Sequence, residues 1–236
     1  MNKLSILAFG AHPDDVELGC GGTLLSHISQ GKKVGIVDLT RGELGTRGTP
    51  EIRSEESAEA AKIIGVEIRE NLGFEDGFFE NSKENQLKVI EVIRKYQPDI
   101  VIASAIEDRH PDHGRASKLI SDSCFLSGLL KIKTATAEPW RPNAVYHYIQ
   151  FRSHITPNLV VDISDFHEKK MEAIKMHKSQ FYDPDSNEPE TMIAQKGFLE
   201  FIEARALEYG TQIGVKYGEG FTAERYIGVK DLSSLL

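Results

Sequence analysis

The 236-residue sequence contains only two cysteines, Cys20 and Cys124. They form no metal-ligand pair, and one disulfide would add little to a core of this size, so neither a disulfide scaffold nor a thiolate metal site is expected. Lys and Arg never cluster into a run, and acidic side chains outnumber basic ones 36 to 28, giving a formal net charge of −8. That balance argues against a nucleic-acid binder and against a polybasic face for an anionic membrane. No apolar run approaches the roughly 18 residues of a membrane span, and the N-terminal run of about six is too short for a signal peptide. Internal repeats, low-complexity tracts and interdomain linkers are missing too. These absences leave a cytoplasmic globular protein with a single domain over residues 1–236, and the 40% apolar and 27% charged composition fits it.

What is present alternates. Apolar runs at 4–9, 33–40 and 99–103 read as buried strands, and 66–68 with 71–73 give a short third strand. Helical patterns lie between them. One opens in the Gly-rich stretch 19–22 and ends near Gly31. Others span 52–64, 85–96 and 116–130, with Gly65 closing the second and Pro98 stopping the third. Strand–helix–strand units of this length predict right-handed crossovers and an α/β fold, a mainly parallel sheet with helices on both faces. Beyond residue 140 the pattern predicts strands at 144–151 and 158–163, helices at 166–177 and 198–209, and a strand at 226–229.

Chemistry concentrates where two of the strands end. The first strand runs into Gly10-Ala11-His12-Pro13-Asp14-Asp15-Val16-Glu17, and the 99–103 strand leads to Asp108-Arg109-His110-Pro111-Asp112-His113-Gly114. Open parallel sheets bind ligands at the carboxyl ends of their strands, so both loops face one crevice. Adjacent carboxylates repel, and a cation is the simplest reason to keep them together. His12, Asp15 and His113 would give two imidazole nitrogens and a carboxylate oxygen, a three-ligand set that leaves a position open for water. Donors of this type favour zinc, and iron or manganese would also bind. Asp14, uncoordinated beside such a metal, suits a general base, and His110 suits a donor to the substrate oxygen or leaving group, with Asp112 orienting its ring.

Plainer roles compete. Asp14 or Asp15 also fits a helix N-cap, and His110 and His113 fit surface-loop histidines. Asp76, in a Gly-flanked turn, is a turn former or a holder of a sugar hydroxyl. Of Arg41, Arg47 and Arg53, one is expected on a substrate hydroxyl or carboxylate and the others solvated or paired. Gly19-Cys20-Gly21-Gly22 is not a dinucleotide loop, because Leu24 falls where G-x-G-x-x-G needs its third glycine. Cys20 reads as a packed small residue, and His27, His147, His154, His167 and His177 as core or surface residues.

Ala11-His12-Pro13-Asp14-Asp15-Val16-Glu17 together with His110-Pro111-Asp112-His113 resembles the PIG-L/LmbE-like N-acetylglucosamine deacetylases. The similarity extends through Arg53-Ser54-Glu55-Glu56, Asp76 and Ile202-Glu203-Ala204-Arg205. Within the family, the loop Thr40-Arg41-Gly42-Glu43-Leu44-Gly45-Thr46-Arg47-Gly48 and the stretch Gln212-Ile213-Gly214-Val215 resemble the bacillithiol-biosynthesis branch. The resemblance implies a Rossmann-like fold and one Zn2+ per subunit on His12, Asp15 and His113. It implies water at the metal attacking the acetyl carbon, with Asp14 as base, and His110 on the oxyanion with Asp112 as its partner. It places Arg53 and Asp76 on the sugar, makes N-acetylglucosaminyl malate the substrate and glucosaminyl malate and acetate the products, and implies a homo-oligomer, a hexamer in close relatives. The related mycothiol enzyme has Tyr just before its His-Pro-Asp-His motif; Arg109 here is expected to suit the dianionic malate. The alternatives are a chitobiose-type or mycothiol-like substrate, or a metal- or sugar-binding protein without chemistry. Residues 181–195, polar and irregular, are expected to form a lid.

Overall fold

The computed structural model describes residues 3–135, 138–151 and 154–232. Among the described residues, seven strands form one sheet: β1 (Ile6–Gly10), β2 (Val34–Thr40), β3 (Ile68–Phe74), β4 (Ile100–Ala103), β5 (Ala144–Tyr148), β6 (Leu159–Asp162) and β7 (Gly218–Ala223). The same described residues form six helices: α1 (Asp15–Ser29), α2 (Pro50–Ile64), α3 (Lys83–Tyr96), α4 (Pro111–Leu126), α5 (His167–Ile174) and α6 (Phe198–Gln212). The strand order is β3-β2-β1-β4-β5-β7-β6. β1 to β5 pair in parallel, while β7 runs antiparallel to both of its neighbours. The α/β architecture expected from the alternation is the one observed.

Side-chain alternation along β1 builds two cores. Leu7 and Phe9 face α3 and α4 with Val37, Leu39, Val89, Ile93, Leu119 and Ile120. Ile6 and Ala8 face α1 with Val16, Leu24, Ile36 and Ala173. Both faces of the parallel strands are therefore covered, which is why their sequences read as continuous apolar runs. The order reverses between β1 and β4. The loops leaving these neighbours diverge to opposite faces and open a crevice.

Several boundaries differ from the sequence expectation. The third strand expected across 66–73 forms as the edge strand β3, which starts later, at Ile68, and runs on to Phe74 through Arg69 and Glu70. α4 begins at Pro111, so the motif residues Pro111, Asp112 and His113 lie in the first helical turn rather than in a loop. Proline is favoured there because its missing N–H would have had no helical partner. No strand forms at 226–229. The last strand is β7, where Gly218 and Gly220 let the backbone approach Val160 and the Tyr209 ring, and that glycine content hid it from the pattern.

α1 starts at Asp15 and breaks at Cys20 (φ −148°, ψ 17°). The break frees backbone N–H groups inside the protein. Glu219 of β7 accepts from Gly22 N at 2.9 Å and Thr23 N at 2.7 Å. Lys170 Nζ neutralises that buried carboxylate at 2.7 Å and also donates to Leu18 O. The glycines of the stretch serve packing: a Cβ on Gly19 would lie 2.3 Å from the Tyr148 ring. Tyr148 is fully buried. Gly19→Ala should therefore destabilise by about 1–3 kcal/mol through overpacking. Thermal unfolding would show it as a lowered Tm, and an unchanged Tm would mean that the ring moves freely. Both cysteines are buried and unpaired, with thiol pKa values pushed up by burial, so they act as packed small residues.

Candidate active site

The turn after β1 carries Asp14 in an unusual conformation, φ 147° and ψ −23°. Non-glycine residues rarely adopt it, and such outliers collect where geometry serves function. Asp14 occupies the cap position of α1 but makes no side-chain capping bond. Its carboxylate lies 3.5 Å from Arg53 Nη2. Arg53, itself buried, also donates to Pro13 O at 3.0 Å and Gly42 O at 3.4 Å. Burial pushes the Asp14 carboxyl above its usual range against the opposing Arg53 charge.

Asp15 lies between two imidazoles. Its Oδ2 accepts from His12 N at 2.8 Å and lies 3.4 Å from His12 Nδ1. Its Oδ1 lies 3.2 Å from His113 Nε2 and accepts from Gln150 Nε2 at 2.7 Å. Burial alone would raise Asp15, but His113 and His12 outweigh it and hold the carboxyl well below normal. His113 responds in the opposite sense. Burial alone would lower it, yet Asp15 and Asp108 push it up to about 9. His12 Nε2 lies 3.0 Å from Asp76 Oδ1 and 3.3 Å from Asp112 Oδ2. Those carboxylates, with Asp15, outweigh burial and raise His12 well above its usual value.

A divalent cation fits this donor set. Asp14, Asp15, Asp76, Asp108 and Asp112 crowd around three imidazoles, and two of these, His12 and His113, answer the negative charge with raised pKa values. A metal ion would supply positive charge there without protonating the imidazoles. Ligand atoms of His12, His110 and His113 approach one another within 4.8 Å, as do those of His12, Asp76 and Asp112. His113 Nδ1 is buried without a hydrogen bond, 3.5 Å from Asp108 Oδ1. A carboxylate behind a ligating imidazole is the usual arrangement for fixing its ring.

His110 differs from its neighbours. It is half-buried, and burial followed by the charges of His12 and His113 lowers its pKa. Its ring meets His12 edge-on at 4.6 Å and stacks on His113 at 5.4 Å. Its Nδ1 accepts from Asp112 N at 3.3 Å, which leaves Nε2 as the protonated nitrogen. Asp112 therefore reaches His110 through its backbone. Its carboxylate instead binds Gly77 N, Arg115 Nη1 and His12, so it does not serve as the ring partner expected from sequence.

These groups line a cavity of about 440 Å3 at the β1/β4 crevice. His12, Asp14, Asp15, Arg53, Asp76, Arg109, His110 and His113 all face it, while Asp112 is sealed beneath. Asp76 Oδ2 accepts from Leu44 N at 2.9 Å; burial would raise this carboxyl, but the His12 hydrogen bond holds it down to about 2. The Arg109 guanidinium lies over the Phe151 ring at 5.1 Å. Of the other arginines near β2, Arg47 binds the 179–189 backbone and side chains rather than open solvent.

Sequence reasoning missed Asp108, Gln150 and Arg205 as a supporting shell. Asp108 accepts from Phe151 N at 2.9 Å as well as facing His113. Arg205 Nη1 donates to Gln150 O at 2.6 Å and its Nη2 to Phe151 O at 3.3 Å. α6 thereby fixes the chain just beyond β5, where Gln150 and Phe151 face the cavity.

A model of the PIG-L family, described as GlcNAc-PI de-N-acetylase, matches residues 7–124, half of the chain and most of the residues just described. The chain belongs to the PIG-L family. As a PIG-L protein it is an enzyme of the N-deacetylase class. It is 31% identical over 229 residues to the diacetylchitobiose deacetylase of Thermococcus kodakarensis, covering 91% of this chain and 81% of that protein. It is 25% identical to a probable N-acetyl-alpha-D-glucosaminyl L-malate deacetylase 2 of Bacillus anthracis, covering 76% and 83% respectively. Among solved structures, a conserved protein from Thermus thermophilus superposes with a TM-score of 0.86 at 38% identity, covering 96% of this chain and 98% of that one. Among the described residues, no helix of this PIG-L protein is long and apolar enough to cross a membrane.

Proposed function

We propose that the protein is a zinc-dependent, cytoplasmic deacetylase that removes the N-acetyl group from an N-acetylglucosamine conjugate with an anionic aglycone. N-acetylglucosaminyl malate is the substrate this reading names. The observation that carries the reaction class is the meeting of Asp14, His110 and the His12/Asp15/His113 donor set in one cavity. His12, Asp15 and His113 would hold the zinc, which when bound supplies Lewis-acid polarisation and lowers the pKa of water. Asp14, whose carboxyl burial pushes above its usual range, takes the proton from the attacking water and later returns it to the departing amine. His110 donates its Nε2 proton to the acetyl oxygen as negative charge develops there. Arg53 holds Asp14 in place, and Asp76 offers a carboxylate to sugar hydroxyls.

The anionic aglycone rests on Arg109, a cation held over Phe151 at the cavity wall. A second reading, diacetylchitobiose as substrate, is favoured by the greater identity to the Thermococcus protein. We also propose that the enzyme acts as a homo-oligomer, a hexamer by resemblance. Acetate release should be measured on N-acetylglucosaminyl malate, diacetylchitobiose and plain N-acetylglucosamine, with zinc and after chelation. Chelation-sensitive release greatest from the malate conjugate is expected. Preference for diacetylchitobiose would move the assignment to the second reading, and release that survives metal removal would overturn the zinc assignment.

A further inference from the structure

The structure assigns Arg47 and Glu56 as positioning residues that clasp the 179–193 segment against the substrate cavity. This segment supplies Gln180, Thr191, Met192 and Ile193 to the cavity lining. Its two ends are secured by packing: Phe181 and Ile193 join Phe198, Ile202 and Leu18 in a local apolar cluster. The residues between are mostly exposed and polar, and none of them belongs to that cluster.

The loop after β2 holds them instead. Arg47 Nε donates to Ser179 O at 2.8 Å, Nη2 to Ser186 Oγ at 3.0 Å and Nη1 to Pro189 O at 3.5 Å. Gly48 N donates to Glu188 Oε1 at 2.9 Å, and Gln180 Nε2 returns a bond to Arg47 O at 2.8 Å. Glu56 of α2, which is not among the residues lining the cavity, accepts from Ser179 N at 2.7 Å and Ser179 Oγ at 2.8 Å. The approach is close: a Cβ on Gly48 would lie 2.6 Å from Ser179 Oγ. Arg47 is only 5% exposed, so its donors are committed to the segment rather than offered to water. A planar guanidinium spreads its donors over three nitrogens in a rigid fork, whereas the three donors of an ammonium share one atom. The part of the cavity lining supplied by 179–193 is thus set by an arginine and a glutamate that need never touch the reacting amide.

The test separates positioning from substrate binding. Glu56 lies outside the cavity lining, so Glu56→Ala cannot remove a substrate contact. Hydrogen exchange across 179–193 would be read in the substrate-free protein for Glu56→Ala, Arg47→Ala and Arg47→Lys. Exchange is expected to quicken by about tenfold or more in the two alanine variants and less in Arg47→Lys, while the β1 and β4 amides stay protected. With the deacetylase substrate, KM should rise about three- to tenfold in Glu56→Ala while kcat changes less than about twofold. Unchanged exchange in Glu56→Ala and Arg47→Lys would overturn the clasp, and faster exchange without a rise in KM would overturn its positioning role. The KM arm rests on the proposed deacetylation. The exchange arm does not, so failure of that reading would leave the clasp measurable.

Discussion

Asp14→Asn should cost about 10²–10⁴ in kcat while leaving metal content and Tm close to those of the parent protein. The substitution removes the proton acceptor and almost nothing else. Asparagine has the same shape and is among the few residues that tolerate positive φ, so the 147° turn survives. Arg53 keeps its bonds to Pro13 O and Gly42 O when the carboxylate is lost. His110→Ala is the companion variant, expected to cost about 10²–10³ as a lost oxyanion donor. Steady-state rates with parallel metal analysis would decide. Turnover of Asp14→Asn within about tenfold of the parent would remove Asp14 from the proton step. Loss of metal together with activity would make it a ligand instead.

The second large effect concerns stability. Arg69 of β3 donates from Nε and Nη2 to Asp38 at 2.8 and 3.0 Å, and its Nη1 binds Glu17. All three side chains are buried or nearly so. Burial alone would raise Glu17, but Arg69 and His177 hold it well below its usual range. Asp38 moves the other way, because for it burial outweighs the same guanidinium. Arg69→Met would strand two buried carboxylates at a cost of about 3–5 kcal/mol. At roughly 2–4 °C per kcal/mol for a chain of this size, Tm should fall by about 6–20 °C. The sign with pH follows from Glu17. Its folded pKa is depressed, so its contribution is fully present above the ordinary value of 4.5 and is lost as pH falls below it. Thermal melts at neutral and acid pH would therefore converge between parent and Arg69→Met as pH drops. A Tm within about 2 °C of the parent at neutral pH would show that water already screens the cluster.

The legible part of this protein was local in sequence. His12, Asp14 and Asp15 share one turn, His110 and His113 share one helix start, and the apolar runs before them announce parallel strands ending together. The illegible part was distant. Asp15 is held by Gln150, 135 positions away, and Gln150 by Arg205 of α6. No periodicity or spacing connects such residues, because only the folded sheet makes them neighbours. Asp112 shows the related error for a short range. Two positions from His110, it looked like a ring partner, but the first helical turn points its carboxylate toward Gly77 and Arg115. Gly-rich β7 failed for another reason, since strands that pack closely against rings need glycine, and glycine reads as a turn.

The break in α1 makes the chain indivisible. The family model matches residues 7–124, and every residue given a role in the proposed chemistry lies inside that span, Arg109 included, although its stacking partner Phe151 does not. Yet the amide groups of Gly22 and Thr23, directly behind the motif, donate to Glu219, 197 and 196 positions later. The recognisable half is therefore not a module. It cannot be transplanted, permuted away or paired with a foreign carboxy-terminal half unless the newcomer brings a buried acid to the same place. Divergence in the second half of the chain is free to reshape the cavity wall, but it is not free to discard the strand that completes the first helix.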